Sequence, residues 1–162
     1  KIRMSWVNEY IAKKATEEKV KIQDKADDLA IQVKELTPDG EKPTQKEIEG
    51  YIKTIFGREG NVAISISRNE CGPTNKEYPR CVYVTDKEYS VGIFQINLQN
   101  KSQKIHFAKI PGDTLAQKAE WLKNPFNNTL VAKSIWADSG WHPWSTFTDG
   151  RYLNVLKQLV QL

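Results

Sequence analysis

The chain has few cysteines and histidines that could bind a metal, and it has no long apolar run that could span a membrane. Its 162 residues include two cysteines and two histidines, and no H-E-x-x-H sequence occurs. Two cysteines cannot by themselves provide the four ligands of a structural zinc site. No apolar run approaches the roughly 20 residues that a transmembrane helix requires. We therefore expect no metal site and no membrane span.

Other familiar sequence signals are missing as well. The chain has no G-x-S-x-G sequence, no P-loop and no glycine pattern typical of dinucleotide binding, so we expect no cofactor. No stripe of Lys and Arg with interleaved aromatic residues is present, which argues against nucleic acid as a partner. The N-terminal residues lack the parts of a signal peptide, so an exported protein would be a processed form.

The composition that is present belongs to a soluble domain with a local excess of positive charge. Apolar residues make up 39% of the chain and charged residues 27%. The net charge of +4 arises wholly within residues 41–162, because residues 1–40 hold equal numbers of basic and acidic side chains. This excess fits either an ordinary soluble surface or attraction to an anionic polymer such as the cell wall.

The two cysteines lie close together in the sequence. Cys71 and Cys81 bracket nine residues that include Gly72, Pro73 and Pro79, residue types that favour turns. The two thiols can therefore meet. We favour a disulfide, and hence an oxidising compartment, over two free thiols.

The chain divides into two parts at a predicted linker. Apolar residues recur at spacings of three and four over residues 5–36, which predicts one long helix or two shorter ones. Residues 37–43 contain two prolines and a glycine and are predicted to be a linker. Thr44 and Glu47 then match a capping box ahead of a helix that Gly57 ends. The predicted domains are a helical extension with linker (1–43) and a second domain (44–162).

The segment from residue 61 to residue 70 is ambiguous. Val62, Ile64 and Ile66 alternate with small or polar residues as in a strand, whereas Ala63, Ile66 and Glu70 share one face of a helix. Further along, residues 80–85 suggest a short strand or loop edge, and residues 90–98 a turn or short helix rather than a regular strand. Helices are predicted over residues 115–122, 129–137 and 152–162, with Pro125 ending the first and Asn127 or Asn128 capping the second.

Glu70 is the residue whose surroundings best suit acid chemistry. It directly follows an apolar segment, and apolar packing disfavours the charged form of a carboxyl group and raises its pKa. A carboxyl group that stays protonated near neutral pH can protonate a poor leaving group such as a sugar oxygen. Asp86 is the best candidate for a second carboxylate and Glu88 the next, although both also fit ordinary surface charges in a loop.

Amide and aromatic side chains accompany this candidate acid. Gln95 and Asn97 alternate with apolar neighbours, and amides suit sugar hydroxyls and N-acetyl groups; an ordinary edge strand explains them equally well. Four tryptophans followed by Phe147 and Tyr152 either form core or stack on sugar rings. These tryptophans are Trp121, Trp136, Trp141 and Trp144.

The order of these segments resembles a known family. An apolar segment ending in Glu precedes S-x-G-x-F-Q-I-N, W-L-x-N-P-x-x-N, A-x-x-I-W and G-W-x-P-W-S. This order resembles the soluble lytic transglycosylase (SLT) domain of the lysozyme-like superfamily, over about residues 48–152. The resemblance implies a mainly α, lysozyme-like α+β fold: a helical catalytic domain with a small β or loop element, preceded by an N-terminal helical segment. It also favours a helix over residues 61–70.

The resemblance implies a role for each matching residue. Glu70 matches the catalytic acid, although Cys71 stands where the family often has serine. Trp136 stands where the family often has a cleft-lining tyrosine, and Tyr152 is a candidate for the tyrosine that partners Glu70. The predicted substrate-binding residues are Ser90, Gly92, Gln95, Asn97, Asn128, Trp136, Trp141 and Tyr152.

The implied activity is cleavage of the β-1,4 bond between N-acetylmuramic acid and N-acetylglucosamine in peptidoglycan glycan strands. Glu70 would protonate the glycosidic oxygen and then deprotonate the muramic C6 hydroxyl, which closes a 1,6-anhydro ring. We expect an extracytoplasmic monomer (periplasmic, in the cell wall, secreted or encoded by a phage) without cofactor. The alternatives are hydrolysis with a second carboxylate such as Asp86, about 6.5–9.5 Å away, and a catalytically silent wall-binding module.

Overall fold

The computed structural model describes residues 42–161. Of the predicted helical extension with linker (1–43), residues 1–41 lie outside the described residues. The described chain is mainly helical with a small three-stranded antiparallel sheet, which confirms the expected mainly α class with a small β element. Between residues 42 and 161, no helix combines the length and the apolar character needed to cross a membrane.

Residues 42–161 form two short 3₁₀ turns, three strands and seven helices. Two 3₁₀ turns, Gly57–Glu59 and Lys101–Gln103, precede the second and third helices. The strands are β1 (Val82–Val84), β2 (Tyr89–Val91) and β3 (Ile96–Asn97). The helices are α1 (Gln45–Phe56), α2 (Gly60–Cys71), α3 (Lys104–Phe107), α4 (Leu115–Leu122), α5 (Pro125–Ser139), α6 (Ser145–Thr148) and α7 (Tyr152–Val160).

Helix α1 begins and ends at the predicted residues. The Thr44 hydroxyl accepts a hydrogen bond from the Glu47 backbone N–H at 3.2 Å, which satisfies one of the helix's free amide groups. The Glu47 carboxylate accepts from the Thr44 hydroxyl at 3.2 Å, so it does not complete the box through the backbone. Gly57 ends the helix with a φ of +57°, a conformation that glycine adopts at low cost.

Residues 61–70 are helical, as the resemblance implies, and the strand-like alternation is misleading. Helix α2 packs against α1, α6 and α7, so it is buried on more than one side and shows no simple period of 3.6 residues. Its buried serines bond within the helix: Ser65 Oγ donates to the Asn61 carbonyl at 2.7 Å, and Ser67 Oγ donates to the Ile64 carbonyl at 3.0 Å.

The sheet has the order β1-β2-β3 with antiparallel neighbours. Residues 80–85, predicted to form a short strand or loop edge, contain the short strand β1. The prediction of a turn or short helix over residues 90–98 is wrong at both ends, because Ser90 pairs with Asn97 and Val91 with Ile96. The turn occupies only the residues between β2 and β3.

The sequence-based prediction gives no cap for helix α4, and the observed cap of α5 differs from the expected one. Helix α4 has the predicted bounds, and Thr114 with Gln117 forms a full capping box that the sequence analysis missed. The cap of α5 is Asn124, whose Oδ1 accepts from the Phe126 N–H at 2.9 Å, and not Asn127 or Asn128. Pro125 opens α5 instead of only ending α4, since a first-turn residue needs no amide donor.

The disulfide prediction is confirmed. Cys71 at the end of α2 is bonded to Cys81, which directly precedes β1. Both cysteines are buried. The bond therefore joins the helix that carries Glu70 to the first strand of the sheet.

Candidate active site

A cavity of about 320 Å³ lies where the end of α2, the sheet and the segment before α6 come together. Its wall contains carboxyl, amide and hydroxyl groups beside aromatic and aliphatic side chains. The residues that line it are Glu70, Tyr83, Glu88, Ser90, Gln95, Ile96, Asn97, Asn100, Gln103, Phe107, Ile135, Pro143, Trp144 and Ser145.

Glu70 contributes a carboxyl group to this cavity. Burial raises the pKa of Glu70 above its ordinary value, and the negative charges of Glu88 and Asp149 act in the same direction. A hydrogen bond from the Thr146 hydroxyl to Oε1, 3.0 Å long, and the positive charge of Arg151 oppose part of this effect. The net result is a raised pKa, so Glu70 keeps its proton, as a general acid must, to a higher pH than an ordinary glutamate does.

Contacts on both sides of Glu70 fix the end of α2. Two residues earlier, the Arg68 guanidinium pairs with both carboxylate oxygens of Glu49 on α1, at 2.6 and 2.8 Å. One residue later, Cys71 forms the disulfide to Cys81. A two-pronged Arg–carboxylate pair and a covalent link both limit rotation and displacement of the helix end.

Glu88 brings a second carboxylate to the cavity. Its Oε1 accepts a hydrogen bond from the Ser90 hydroxyl at 2.6 Å, and both residues line the cavity. Asp86, the first-ranked candidate from the sequence, lies exposed in the turn between β1 and β2 and is not a lining residue. The structure thus places Glu88, and not Asp86, in the same cavity as Glu70.

Gln95 and Asn97 lie in the cavity wall, each with part of its amide bonded to the protein. Gln95 has a φ of +46°, and its Nε2 donates to the carbonyls of Cys81 and Gly92 at 3.2 and 3.0 Å. Asn97 Oδ1 accepts from the backbone N–H groups of Tyr89 and Gln99 at 3.1 and 3.0 Å. Each amide keeps its other polar atom, Gln95 Oε1 or Asn97 Nδ2, unbonded to the described residues.

Gly92 and Asn128 form a buried contact away from the cavity wall. Asn128 is fully buried; its Oδ1 accepts from the Phe94 N–H at 2.9 Å, and its Nδ2 donates to the Val91 and Leu122 carbonyls at 2.8 and 3.0 Å. A Cβ at Gly92, where φ is +81°, would clash with Asn128 Nδ2. Both residues therefore hold the β2–β3 turn, and neither lines the cavity.

Three of the predicted aromatic contacts also lie outside the cavity wall. Trp141 lies in the core and Trp136, which is partly buried, packs against it; both contact Phe56, and the Trp141 indole N–H donates to the Glu59 carboxylate at 2.9 Å. Tyr152 stacks on Phe147 with ring centroids 4.8 Å apart. Among the tryptophans between residues 42 and 161, Trp144 lines the cavity, and its indole N–H donates to the Phe94 carbonyl at 2.9 Å.

Several site residues were not identified from the sequence. Tyr83 and Gln103 line the cavity but lie outside the quoted motifs, so no local signal marks them. Thr146 directly follows the G-W-x-P-W-S segment; its position after a motif is a weak signal that gives no indication of its bond to Glu70.

Potential metal ligands are scattered over the described part of the chain. Between residues 42 and 161, no group of three or more His, Cys, Asp or Glu side chains is arranged to hold a metal ion. A scan against protein-family models and searches of curated proteins and of solved structures found no match to this chain.

Proposed function

We propose that this chain is an enzyme that cleaves the β-1,4 bond between N-acetylmuramic acid and N-acetylglucosamine in peptidoglycan. One observation carries the proposal: Glu70 is a partly buried carboxyl group with a raised pKa at the wall of a polar cavity. A glycosidic oxygen is a poor leaving group, so its departure needs a proton from a group of this kind.

The remaining cavity wall suits a carbohydrate. Gln95 and Asn97 line the cavity and each has one amide atom that is not bonded to the described residues, and Trp144 and Tyr83 contribute aromatic side chains to the wall. Sugars present hydroxyl groups at their edges and C–H groups on their faces, so amides and aromatic rings complement them. The positive net charge of residues 41–162 would attract an anionic glycan.

In the proposed reaction Glu70 acts twice. Its protonated carboxyl group donates to the glycosidic oxygen, and the C1–O bond breaks. The acetamido group of the substrate then stabilises the positive charge that develops at C1. The Glu70 carboxylate removes the proton of the muramic C6 hydroxyl, whose oxygen bonds to C1 and closes the 1,6-anhydro ring. Neither a metal nor a cofactor takes part.

Hydrolysis is the second candidate because Glu88 shares the cavity with Glu70. An inverting hydrolase needs a carboxylate that activates water on the opposite face of the sugar. Glu88 is held in the cavity wall by Ser90 at 2.6 Å, whereas Asp86 is exposed in the preceding turn. Glu88 thus replaces Asp86 as the proposed second carboxylate.

Replacing Glu70 by Gln tests the catalytic assignment. Glu70→Gln removes the transferable proton but keeps the size and the acceptor for Thr146, so we expect lysis of purified peptidoglycan to fall at least about a hundredfold. Glu77→Gln, an exposed carboxylate in the loop between the cysteines, serves as the control and should keep full activity. Normal lysis by Glu70→Gln would refute the proposal, and a wild-type chain that binds the wall without cutting it would support the silent-module alternative.

Product analysis separates the two candidate reactions. Mass spectrometry of digested peptidoglycan should show 1,6-anhydro-muropeptides, and Glu88→Gln should keep measurable activity with the same products. Reducing-end products that disappear in Glu88→Gln would instead assign hydrolysis.

We further propose that the protein is a monomer in an extracytoplasmic location and that its partner is the glycan strand. The disulfide favours this location.

A further inference from the structure

The outer edge of β1 carries backbone groups that the described sheet leaves unpaired. The Thr85 N–H donates to the Glu88 carbonyl, and inward-facing and outward-facing residues alternate along an antiparallel strand. In the observed register the N–H and C=O groups of Val82 and Val84 therefore point away from β2. Between residues 42 and 161, no strand pairs with this edge and no hydrogen bond reaches these four groups.

Exposed apolar side chains accompany these backbone groups. Tyr83 and Val84 are each 56% exposed. Folded proteins commonly protect a free edge with charged residues, proline or a covering segment, and the three residues of β1 include neither a charge nor a proline. The edge can therefore accept another strand. Because β1 is short, the side chains of that strand must supply part of the selectivity.

Tyr83 places this edge beside the cavity. It pairs with Ser90, and Ser90 pairs with Asn97 on the third strand. All three residues line the cavity, so they form one row across the cavity face of the sheet. Residues directly opposite one another on neighbouring strands project from the same face. A strand added to β1 would thus place the residue opposite Tyr83 over the cavity.

The cavity favours a positively charged side chain at that position. Glu88 lines the cavity and accepts from the Ser90 hydroxyl at 2.6 Å. Among residues 42–161, no Lys or Arg forms an ion pair with Glu88. An added strand would lie about 10 Å from β2, a span that a Lys or Arg side chain and the Glu88 side chain can bridge together.

We infer that the free edge of β1 binds an extended segment of a partner protein as a fourth strand, with a basic residue opposite Tyr83 that covers the cavity and inhibits the enzyme. The edge selects a polypeptide because an extended chain presents N–H and C=O groups at the two-residue repeat of Val82 and Val84. The inferred surface and partner go beyond the proposed reaction and do not depend on its chemistry.

Nuclear magnetic resonance spectroscopy of the full, isotope-labelled chain tests strand addition. The probe is the synthetic peptide acetyl-Thr-Val-Lys-Val-Thr-amide. We expect saturable shifts of the Val82 and Val84 amide signals, and inhibition of peptidoglycan lysis by the same peptide. A peptide with Gln in place of Lys should bind about fivefold more weakly. The fully N-methylated peptide should bind at least about tenfold more weakly, because it has no N–H groups to donate.

Two changes in the protein test the same contacts from the other side. Val84→Pro removes an outward N–H group and should weaken binding about tenfold, whereas Val84→Thr keeps that group and is the matched control. Glu88→Gln should keep binding but lose the preference for the Lys peptide. If Val84→Pro does not fold, the N-methylated peptide still tests the backbone hydrogen bonds.

Three results would overturn the inference: shifts confined to residues outside β1, equal binding of the N-methylated peptide, or an unaltered Lys preference in Glu88→Gln. Displacement of the probe by a purified stem peptide of peptidoglycan would assign the edge to the substrate and would also overturn it. Binding at the edge by a chain that never cuts peptidoglycan would support the inference and overturn the proposed function.

Discussion

At the scale of single residues, the protonation of Glu70 depends on opposing neighbours. Burial and the charges of Glu88 and Asp149 favour the protonated carboxyl group, whereas Thr146 and Arg151 favour the carboxylate. A group that must first donate and then accept a proton needs a pKa at which it can take both the protonated and the charged form at the working pH. Thr146 is the neighbour whose contribution can be removed with the smallest change of shape.

We predict that Thr146→Val moves the alkaline limit of activity to higher pH. The Thr146 hydroxyl donates to Glu70 Oε1 at 3.0 Å and stabilises the charged form, so its loss raises the pKa of Glu70 further. A general acid works only while protonated, so the fall of kcat/KM at high pH should begin later. The measurement is the pH profile of kcat/KM on a soluble glycan substrate.

Thr148→Val is the matched control for that experiment. Thr148 lies on the same short helix, is exposed and donates to the Ser145 carbonyl at 3.2 Å. Its replacement should leave the pH profile unchanged. A shift toward lower pH in Thr146→Val would mean that Glu70 does not supply the proton that limits the reaction.

At the scale of elements, sequence patterns identify a helix well when one face of it is exposed. Helix α4 has one exposed side, and its predicted bounds are the observed ones. Helix α2 packs on three other helices, so the residues between its core contacts are buried serines instead of charged side chains. The local pattern then resembles that of a strand, and only the order of the motifs along the chain predicts a helix over residues 61–70.

The Asn128 side chain links three elements, and its loss should cost stability instead of substrate affinity. Asn128→Ala leaves the Phe94 N–H and the Val91 and Leu122 carbonyls without their partner. Because buried groups left unpaired are expensive, we expect a loss of about 3–5 kcal/mol in the free energy of unfolding. Urea unfolding followed by tryptophan fluorescence measures this loss.

The neighbouring Asn127→Ala variant provides the comparison. Asn127 Nδ2 donates one partly exposed hydrogen bond to the Trp121 carbonyl at 3.0 Å, so its replacement should cost less than about 1 kcal/mol. Wild-type stability with a raised KM in Asn128→Ala would restore the original expectation that Asn128 contacts substrate.

At the scale of the whole molecule, the sequence indicates which segments form the site but not which of their residues face it. Asp86 and Glu88 are two residues apart, yet Glu88 directly precedes β2 and accepts a hydrogen bond from the Ser90 hydroxyl, whereas Asp86 lies exposed in the turn. The tryptophans form a cluster, but their depth depends on how α1 and α5 pack around Phe56. Gln103 and Tyr83 reach the cavity through tertiary folding alone, which no local pattern encodes.

The last prediction concerns the disulfide that joins the Glu70 helix to the sheet. A cross-link that closes a loop of this length stabilises a folded chain by about 2–3 kcal/mol. The Cys71→Ala, Cys81→Ala double variant should lose about that much stability. It should also lose activity below its unfolding temperature. The backbone carbonyl of residue 81 accepts from Gly92 N–H at 2.7 Å and from Gln95 Nε2 at 3.2 Å. Movement of residue 81 without the cross-link would therefore disturb the cavity wall at Gln95. Thermal unfolding and peptidoglycan lysis, each with and without a reductant, measure both effects.

The reductant should destabilise the wild type and leave the double variant unchanged. A fully reduced wild type, verified by thiol titration, that keeps its unfolding temperature and activity would show that the link holds neither Glu70 nor the sheet in place.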